Sequence, residues 1–408
     1  MGPRRKHPPV SGKQDVRRRR HQPQPYQPVS FRRRVRCRAD GHRRTIRNDG
    51  GRRVRRPQRQ RQSGPRNTVA GNRASGGVAG GVPASNGLID VHAHVAVPAY
   101  LALLAQVGVR PSGYSGSSRT PTSGRAGDDR AAAIAARIAM MDRAGVSKQI
   151  LLASLASYLA AETKAVPPAR LLNERLVELA AATPHPLAAL ACLPLPHVDA
   201  ARAELRHGMD RLGLVGITMQ TSCFGISIAD EKFAPLFAEM NRRRATLFIH
   251  PAINRLRSPF ATDWRIDTTL GPLLEDITIA VQLIAANIPM RYPAVRIVIP
   301  HLGSGFATML DRRDNRLPLA ILKLAGRPCE MARRFWYDSV AHGSLTGFDT
   351  AIAAFGADRI VPGSDFPVLL SSESNDRTIN YVRKARHAGA ARQILHHSAR
   401  ALFAGALA

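Results

Sequence analysis

Four histidines and one aspartate stand where chemistry could be done. His92 and His94 close the apolar run 88–95 as His-Ala-His. His250 closes the run 245–250, His301 the run 295–301, and Asp365 the run 359–365. In a strand, residues i and i+2 point to the same side, so His92 and His94 share a face while the small Ala93 faces away. Imidazole nitrogens together with one carboxylate suit Zn²⁺ or a similar divalent ion. Taken singly, His250 also fits a core histidine, Asp365 a turn cap and His301 a loop residue. Their joint placement argues for a site, because all five lie at the ends of predicted strands, on four different strands. His185, His197, His207, His396 and His397 fall in predicted helices or loops and are read as structural or solvated.

These side chains need a scaffold that brings strand ends together. After Asn86 the chain alternates short apolar runs with amphipathic stretches. A helix is predicted over 129–144, where Ile134, Ile138 and Met141 recur at helical spacing and Gly145 closes the stretch. Strands are predicted at 88–95, 146–153, 187–193, 213–219, 245–250, 295–301, 335–340 and 359–365. Further helices are predicted at 168–183, 198–212, 230–243, 271–289, 305–324, 345–355, 376–388 and 391–404. Parallel strands need crossovers, and eight strand–helix units close naturally into an α/β fold, the (β/α)8 TIM barrel. An open doubly wound sheet would announce itself by a Gly-rich phosphate loop after the first strand. Here that strand ends in His-Ala-His. In a barrel, chemistry gathers at the C-terminal ends of the strands, where all five residues fall.

Charge divides the chain differently. The 408 residues carry a formal +31, but residues 1–86 hold 24 Lys and Arg against 3 Asp. Two thirds of the excess lies in one fifth of the length, so the whole chain is not a nucleic-acid binder on its charge. Arg17–Arg20, Arg32–Arg34 and Arg52–Arg56 are like-charge clusters without apolar periodicity, and such a segment is expected to be a disordered extension. A start codon placed too far upstream is the other reading; only 7 of the 60 basic residues are Lys, as high-GC coding favours. A nucleic-acid-binding arm is a third, with only Tyr26 and Phe31 to stack on bases. The division is therefore 1–86 as an Arg-rich extension and 87–408 as the catalytic barrel. No apolar run reaches the ~18 residues of a membrane helix, and no signal-peptide core is seen. Cys37, Cys192, Cys223 and Cys329 form no CxxC pair, which fits a reducing cytoplasm.

The blocks IDVHAHVAVP, MDRAGVSKQILL, LFIHPA, PHLGSGF, YDSVAHG and RIVPGSDFPVLL, with the closing LHHSARALF, occur in an order that resembles the amidohydrolase superfamily. Within it they resemble the aminocarboxymuconate-semialdehyde decarboxylase-like branch, from about Leu88 to Phe403. The resemblance implies metal ligands at His92, His94, His250 and Asp365, and an acid/base at His301. It also implies a substrate-carboxylate arginine at Arg312, eleven residues past His301, that can serve a neighbouring subunit of a homodimer. The other reading of Arg312 is a solvated helix charge beside Arg313 and Arg316. A second substrate arginine would fall at Arg119 or Arg125. The fourth predicted strand lacks the lysine that a two-metal centre of this type would carry, so one divalent ion is expected, zinc before manganese or iron.

Two reactions suit such a site. A divalent ion acidifies a bound water, and His301 is placed to take its proton. The first reading is decarboxylation of a small carboxylated conjugated or aromatic metabolite, with Asp365 or His301 returning the proton to carbon. The alternative is hydrolysis of a lactone, ester or amide. Phe224, Phe260, Trp264 and Trp336 could shape an apolar pocket or belong to the core.

Overall fold

The computed structural model describes residues 87–108, 131–153, 156–183, 186–252, 266–316 and 323–407. The Arg-rich extension 1–86, together with Arg119, Arg125, His185, Phe260 and Trp264, lies outside the described residues. Eight parallel strands form one sheet in sequence order: β1 (Leu88–Val95), β2 (Val146–Ala153), β3 (Leu187–Cys192), β4 (Gly216–Gln220), β5 (Thr246–His250), β6 (Arg296–Ile299), β7 (Trp336–Asp338) and β8 (Ile360–Val361). The segment that continues β8 closes the barrel on β1. Val91 N–H donates to Pro362 O at 2.9 Å, Asp365 N–H to His92 O at 2.8 Å, and His94 N–H to Phe366 O at 2.6 Å. The architecture is thus the expected (β/α)8 barrel. Its strands are nearly continuous apolar runs because barrel and helices cover both faces; every residue of β1 is buried.

Local differences have local causes. The helix Glu162–Ala181 starts six residues before the predicted 168 and runs through Pro167 and Pro168. A proline disfavours helix in the residue before it, but burial of Ala165, Ala169, Leu172 and Leu176 holds the early turns in place. Helices Pro98–Gln106 and Pro328–Ala332 were not anticipated; each has proline in its first turn, where the missing N–H has no intrahelical partner to lose. β6 and β8 end at Ile299 and Val361, short of the predicted 301 and 365; the chain turns left-handed at His301 (φ 54°) and at Asp365 (φ 52°), although the segment after β8 still bonds β1.

The core beneath the site explains one aromatic. Trp336 begins β7 and packs with Val91, Phe248 and Val298 and with Leu402 and Phe403 of the C-terminal segment. Thr246, the first residue of β5, donates its hydroxyl to Leu402 O at 3.0 Å, so this segment lies at the N-terminal strand ends. Trp336 is therefore core at the end opposite the site. Phe224 is 61% exposed, at a left-handed turn between two-residue strands Ser222–Cys223 and Ile226–Ser227.

Candidate metal centre and active site

His92, His94 and His250 converge in the barrel, all buried, with one ring nitrogen from each within 4.8 Å of the others. His92 Nε2 lies 3.2 Å from His94 Nε2. Asp365 Oδ1 lies 3.3 Å from His92 Nε2 and 3.0 Å from His94 Nε2. Ligand bonds of about 2.0–2.2 Å to one ion put neighbouring donor atoms about 3 Å apart, so these separations suit donors around a common centre. The outer partners agree. His92 Nδ1 donates to Asp338 Oδ2 at 2.7 Å, and His250 Nδ1 to Pro251 O at 3.0 Å. Both bonds leave Nε2 as the free donor nitrogen, the arrangement that orients metal-binding imidazoles. His94 Nδ1 is buried without a hydrogen-bond partner among the described residues.

Electrostatics distinguish the members. Burial, with His94 and His92 alongside, holds His250 well below the ordinary histidine pKa. Burial also lowers His94, against the pull of Asp365. Neutral rings are what coordination requires. His92 moves the other way: burial is outweighed by Asp365 and Asp338, and its pKa rises. Burial opposes ionisation of Asp365, yet His92, His94 and His301 together hold its carboxyl below the usual range.

His301 sits apart from this group, just beyond β6, with its ring centroid 5.7 Å from that of His92. Its backbone N–H donates to Asp338 Oδ1 at 2.8 Å, and its Nδ1 to Asp276 Oδ2 at 2.8 Å. The turn is left-handed throughout, with His301, Leu302 and Ser304 at φ 54°, 52° and 53° and glycines between and after. Each non-glycine residue there costs roughly 1–2 kcal/mol. Gly303 is required, because a Cβ would stand 2.9 Å from the Tyr337 ring. Burial disfavours a charged His301, but Asp276, Asp338 and Asp365 prevail, and its pKa is pushed up to about 9.

Beneath the histidines, Asp90 fastens β1 to the segment carrying Asp365. Its Oδ1 accepts the N–H groups of His92 (3.2 Å) and Ser364 (3.0 Å). Its Oδ2 accepts Ser364 Oγ (2.6 Å) and Gln149 Nε2 (2.7 Å). Arg137, itself buried, donates to Gln149 and to His94 O, both at 2.7 Å. All five predicted residues are thus brought together. Arg312 is exposed on helix Leu310–Arg316, outside the buried cluster, while Arg313 beside it lies over the Phe306 ring.

Three carboxylates that matter were not singled out from sequence. Asp338 ends β7 within YDSVAHG, so the rule that chemistry sits at strand ends could have found it. Asp90 continues the His92/His94 face by the same two-residue period. Asp276 lies in the apolar helical stretch LLEDITIAVQLI beside Glu275; three and four residues before Ile279 and Ala280 it falls on the helix face that turns out to be buried, and that spacing is the signal.

Barrel and cluster together define a histidine–carboxylate centre at the mouth of a (β/α)8 fold. The chain belongs to the amidohydrolase family, whose profile matches residues 89–405. It falls in the branch that holds aminocarboxymuconate-semialdehyde decarboxylase. It is 24% identical to the 2-amino-3-carboxymuconate-6-semialdehyde decarboxylase of Dictyostelium discoideum, over 57% of this chain and 66% of that protein. Against a gamma-resorcylate decarboxylase of Rhizobium radiobacter the identity is 30%, over 57% and 76%. A solved dihydroxybenzoic acid decarboxylase from Polaromonas, with bound manganese and 2-nitroresorcinol, superposes with a TM-score of 0.65 at 22% identity, over 78% of this chain and 97% of that one.

Proposed function

We propose that this chain is a metal-dependent carboxy-lyase acting on a small aromatic or conjugated carboxylate. The observation that carries the reading is the separation of two groups: a buried His92–His94–His250 set with Asp365 alongside, and a distinct His301 whose surroundings favour its protonated form. Decarboxylation replaces a carboxylate by a proton on the same carbon, so it needs a proton donor that is not spent as a ligand. His301 is that donor. The depressed pKa of Asp365 makes it an ionised ligand rather than a source of protons. A divalent ion held by His92, His94, His250 and Asp365 would supply fixed positive charge against which substrate oxygens can bind. This donor set suits zinc, with manganese and iron as alternatives.

Arg312, exposed on its short helix, is assigned to a substrate carboxylate at the neighbouring subunit's site, which makes the working unit a homodimer. The family match over residues 89–405 supports a catalytic unit spanning 87–408. Cys192, Cys223 and Cys329 are free and buried, which supports a cytoplasmic setting. No helix among the described residues is long and apolar enough to cross a membrane. The test is metal analysis of the purified protein with a screen of hydroxybenzoates and conjugated dicarboxylates, scored separately for CO₂ release and for hydrolysis. One divalent ion per chain with CO₂ release is expected. Hydrolysis without CO₂ release refutes the reading.

A further inference from the structure

Asp276 is fully buried on helix Asp267–Ala285, one turn before Ile279 and Ala280, which are buried in the core. One of its oxygens does all the visible work. Oδ2 accepts from His301 Nδ1 at 2.8 Å and from Ser304 Oγ at 2.7 Å. Oδ1 is buried without a hydrogen-bond partner among the described residues. Burying a carboxyl group with an idle oxygen is unfavourable. A group that merely stapled the turn could serve as well with an amide or a hydroxyl. The neighbouring Glu275 shows what anchoring looks like on this helix: its Oε2 accepts from Thr221 Oγ1 and from Ala252 N–H, both at 2.6 Å.

We propose that Asp276 is a positioning residue that fixes the tautomer and orientation of His301, with Ser304 holding Asp276 in register. A carboxylate can only accept, so the His301 proton facing it must sit on Nδ1. Nε2 is then the ring nitrogen left to exchange a proton with substrate. The left-handed turn is what allows one oxygen to serve both partners, since His301 and Ser304 are three residues apart and reach the same atom. When Nε2 of the imidazolium gives up its proton, the ring becomes neutral with Nδ1–H still bonded to Asp276, and solvent recharges Nε2. An amide at position 276 that kept its oxygen on His301 would bury its NH₂ where Oδ1 has no partner, so the N–H turns to Nδ1 and the neutral ring carries its proton on Nε2. The consequence for turnover rests on the carboxy-lyase reading; the tautomer does not.

The experiment is ¹⁵N NMR of the metal-loaded protein with labelled histidine side chains, with the His301 signals identified by their loss in His301→Gln. Wild-type His301 should keep Nδ1 protonated after the ring becomes neutral, and Asp276→Asn should move that proton to Nε2. With metal content unchanged, Asp276→Asn should lower kcat about a hundredfold or more and leave KM within a few-fold, as expected when a general acid/base is held in the wrong tautomer. Asp276→Glu should restore the Nδ1–H tautomer and part of kcat, and Ser304→Ala should cost only a few-fold. A wild-type His301 with its proton on Nε2 overturns the proposal without any variant, so a poorly folding Asp276→Asn does not shield it. An unchanged tautomer in folded Asp276→Asn overturns it equally. Absence of CO₂ release from every carboxylate, with the tautomer shift intact, would sink the carboxy-lyase reading and leave the positioning role standing.

Discussion

Asp338→Asn is the substitution whose effect the geometry fixes most tightly. Asp338 is fully buried and works with both oxygens: Oδ2 accepts from His92 Nδ1 at 2.7 Å, and Oδ1 from the N–H groups of His301 at 2.8 Å and Val340 at 3.0 Å. Asparagine has the same shape but only one accepting end. If its oxygen keeps the two backbone N–H groups, its NH₂ faces His92 Nδ1. The neutral ring must then carry its proton on Nε2, the nitrogen turned towards His94 and Asp365. If the amide flips, NH₂ meets two buried N–H donors, at about 1–3 kcal/mol for each group left unpaired. The first arrangement is the cheaper, and a metal must undo it before His92 can bind. Loss of an outer-shell partner of a ligating histidine typically weakens metal binding about 10–100-fold, or roughly 1.4–2.7 kcal/mol. The assay is competition between metal-free protein and a chelator of known affinity, with circular dichroism to verify the fold. A folded Asp338→Asn protein that binds metal within about twofold of wild type would refute both the ligand role of His92 and the tautomer argument.

Further outcomes follow from the same geometry. His250→Ala should lose most of its metal, whereas His301→Ala should keep it and lose roughly 10²–10⁴-fold in turnover; metal analysis beside kinetics separates the two, and metal loss in His301→Ala would make His301 a ligand. Arg312→Ala should keep metal and weaken binding of carboxylated substrates, and mixing it with His301→Ala chains should restore part of the activity through a hybrid dimer carrying one intact site. No recovery after verified subunit exchange would place Arg312 outside the neighbour's site. In the metal-free protein, His301 has a folded pKa raised to about 9 from 6.5, so its stabilising contribution is complete below pH 6.5 and is lost as pH rises through about 9. The stability difference between wild type and His301→Gln, measured by denaturant unfolding, should therefore shrink across that range; a difference that grows would reverse the assigned sign.

How much of this was legible in the sequence depends on how tightly physics constrains each residue. The barrel was legible because each strand is an apolar run and each crossover a helix of recognisable period. The ligand positions were legible because few residue types can bind a metal, and His92 and His94 share a face by the two-residue repeat. The outer partners were not, because any carboxyl group in the right place can hold an imidazole. Asp338 reaches His92 from β7 and Asp276 reaches His301 from a helix, 246 and 25 residues away along the chain. No periodicity links such pairs; the closed barrel makes the first, and packing of the helix on its following strand the second.

The backbone at the two strand ends carries the same lesson further. A strand continued through His301 or Asp365 would have sent alternate side chains to opposite faces. Both residues instead turn left-handed, and neither is glycine. Asp365 is thereby drawn back over β1, where its own N–H bonds His92 O at 2.8 Å and its carboxyl group meets His92 and His94. His301 is turned so that its N–H meets Asp338 and its ring meets Asp276. Unfavourable conformations of this kind persist only where surrounding bonds over-determine them; at His301 those bonds come from Asp338 and Asp276, and at Asp365 from His92 and His94. Asp90 belongs to the same scheme: it grips the backbone of His92 and Ser364 at once and so sets how far Asp365 can move from the histidines. The site is therefore built in two layers. The inner layer is fixed by residue type and can be read one strand at a time, while in the outer layer Asp276 docks from the helix before β6, and the bonds of Asp90 to Ser364 and of Asp338 to His92 form only when the last strands close on the first.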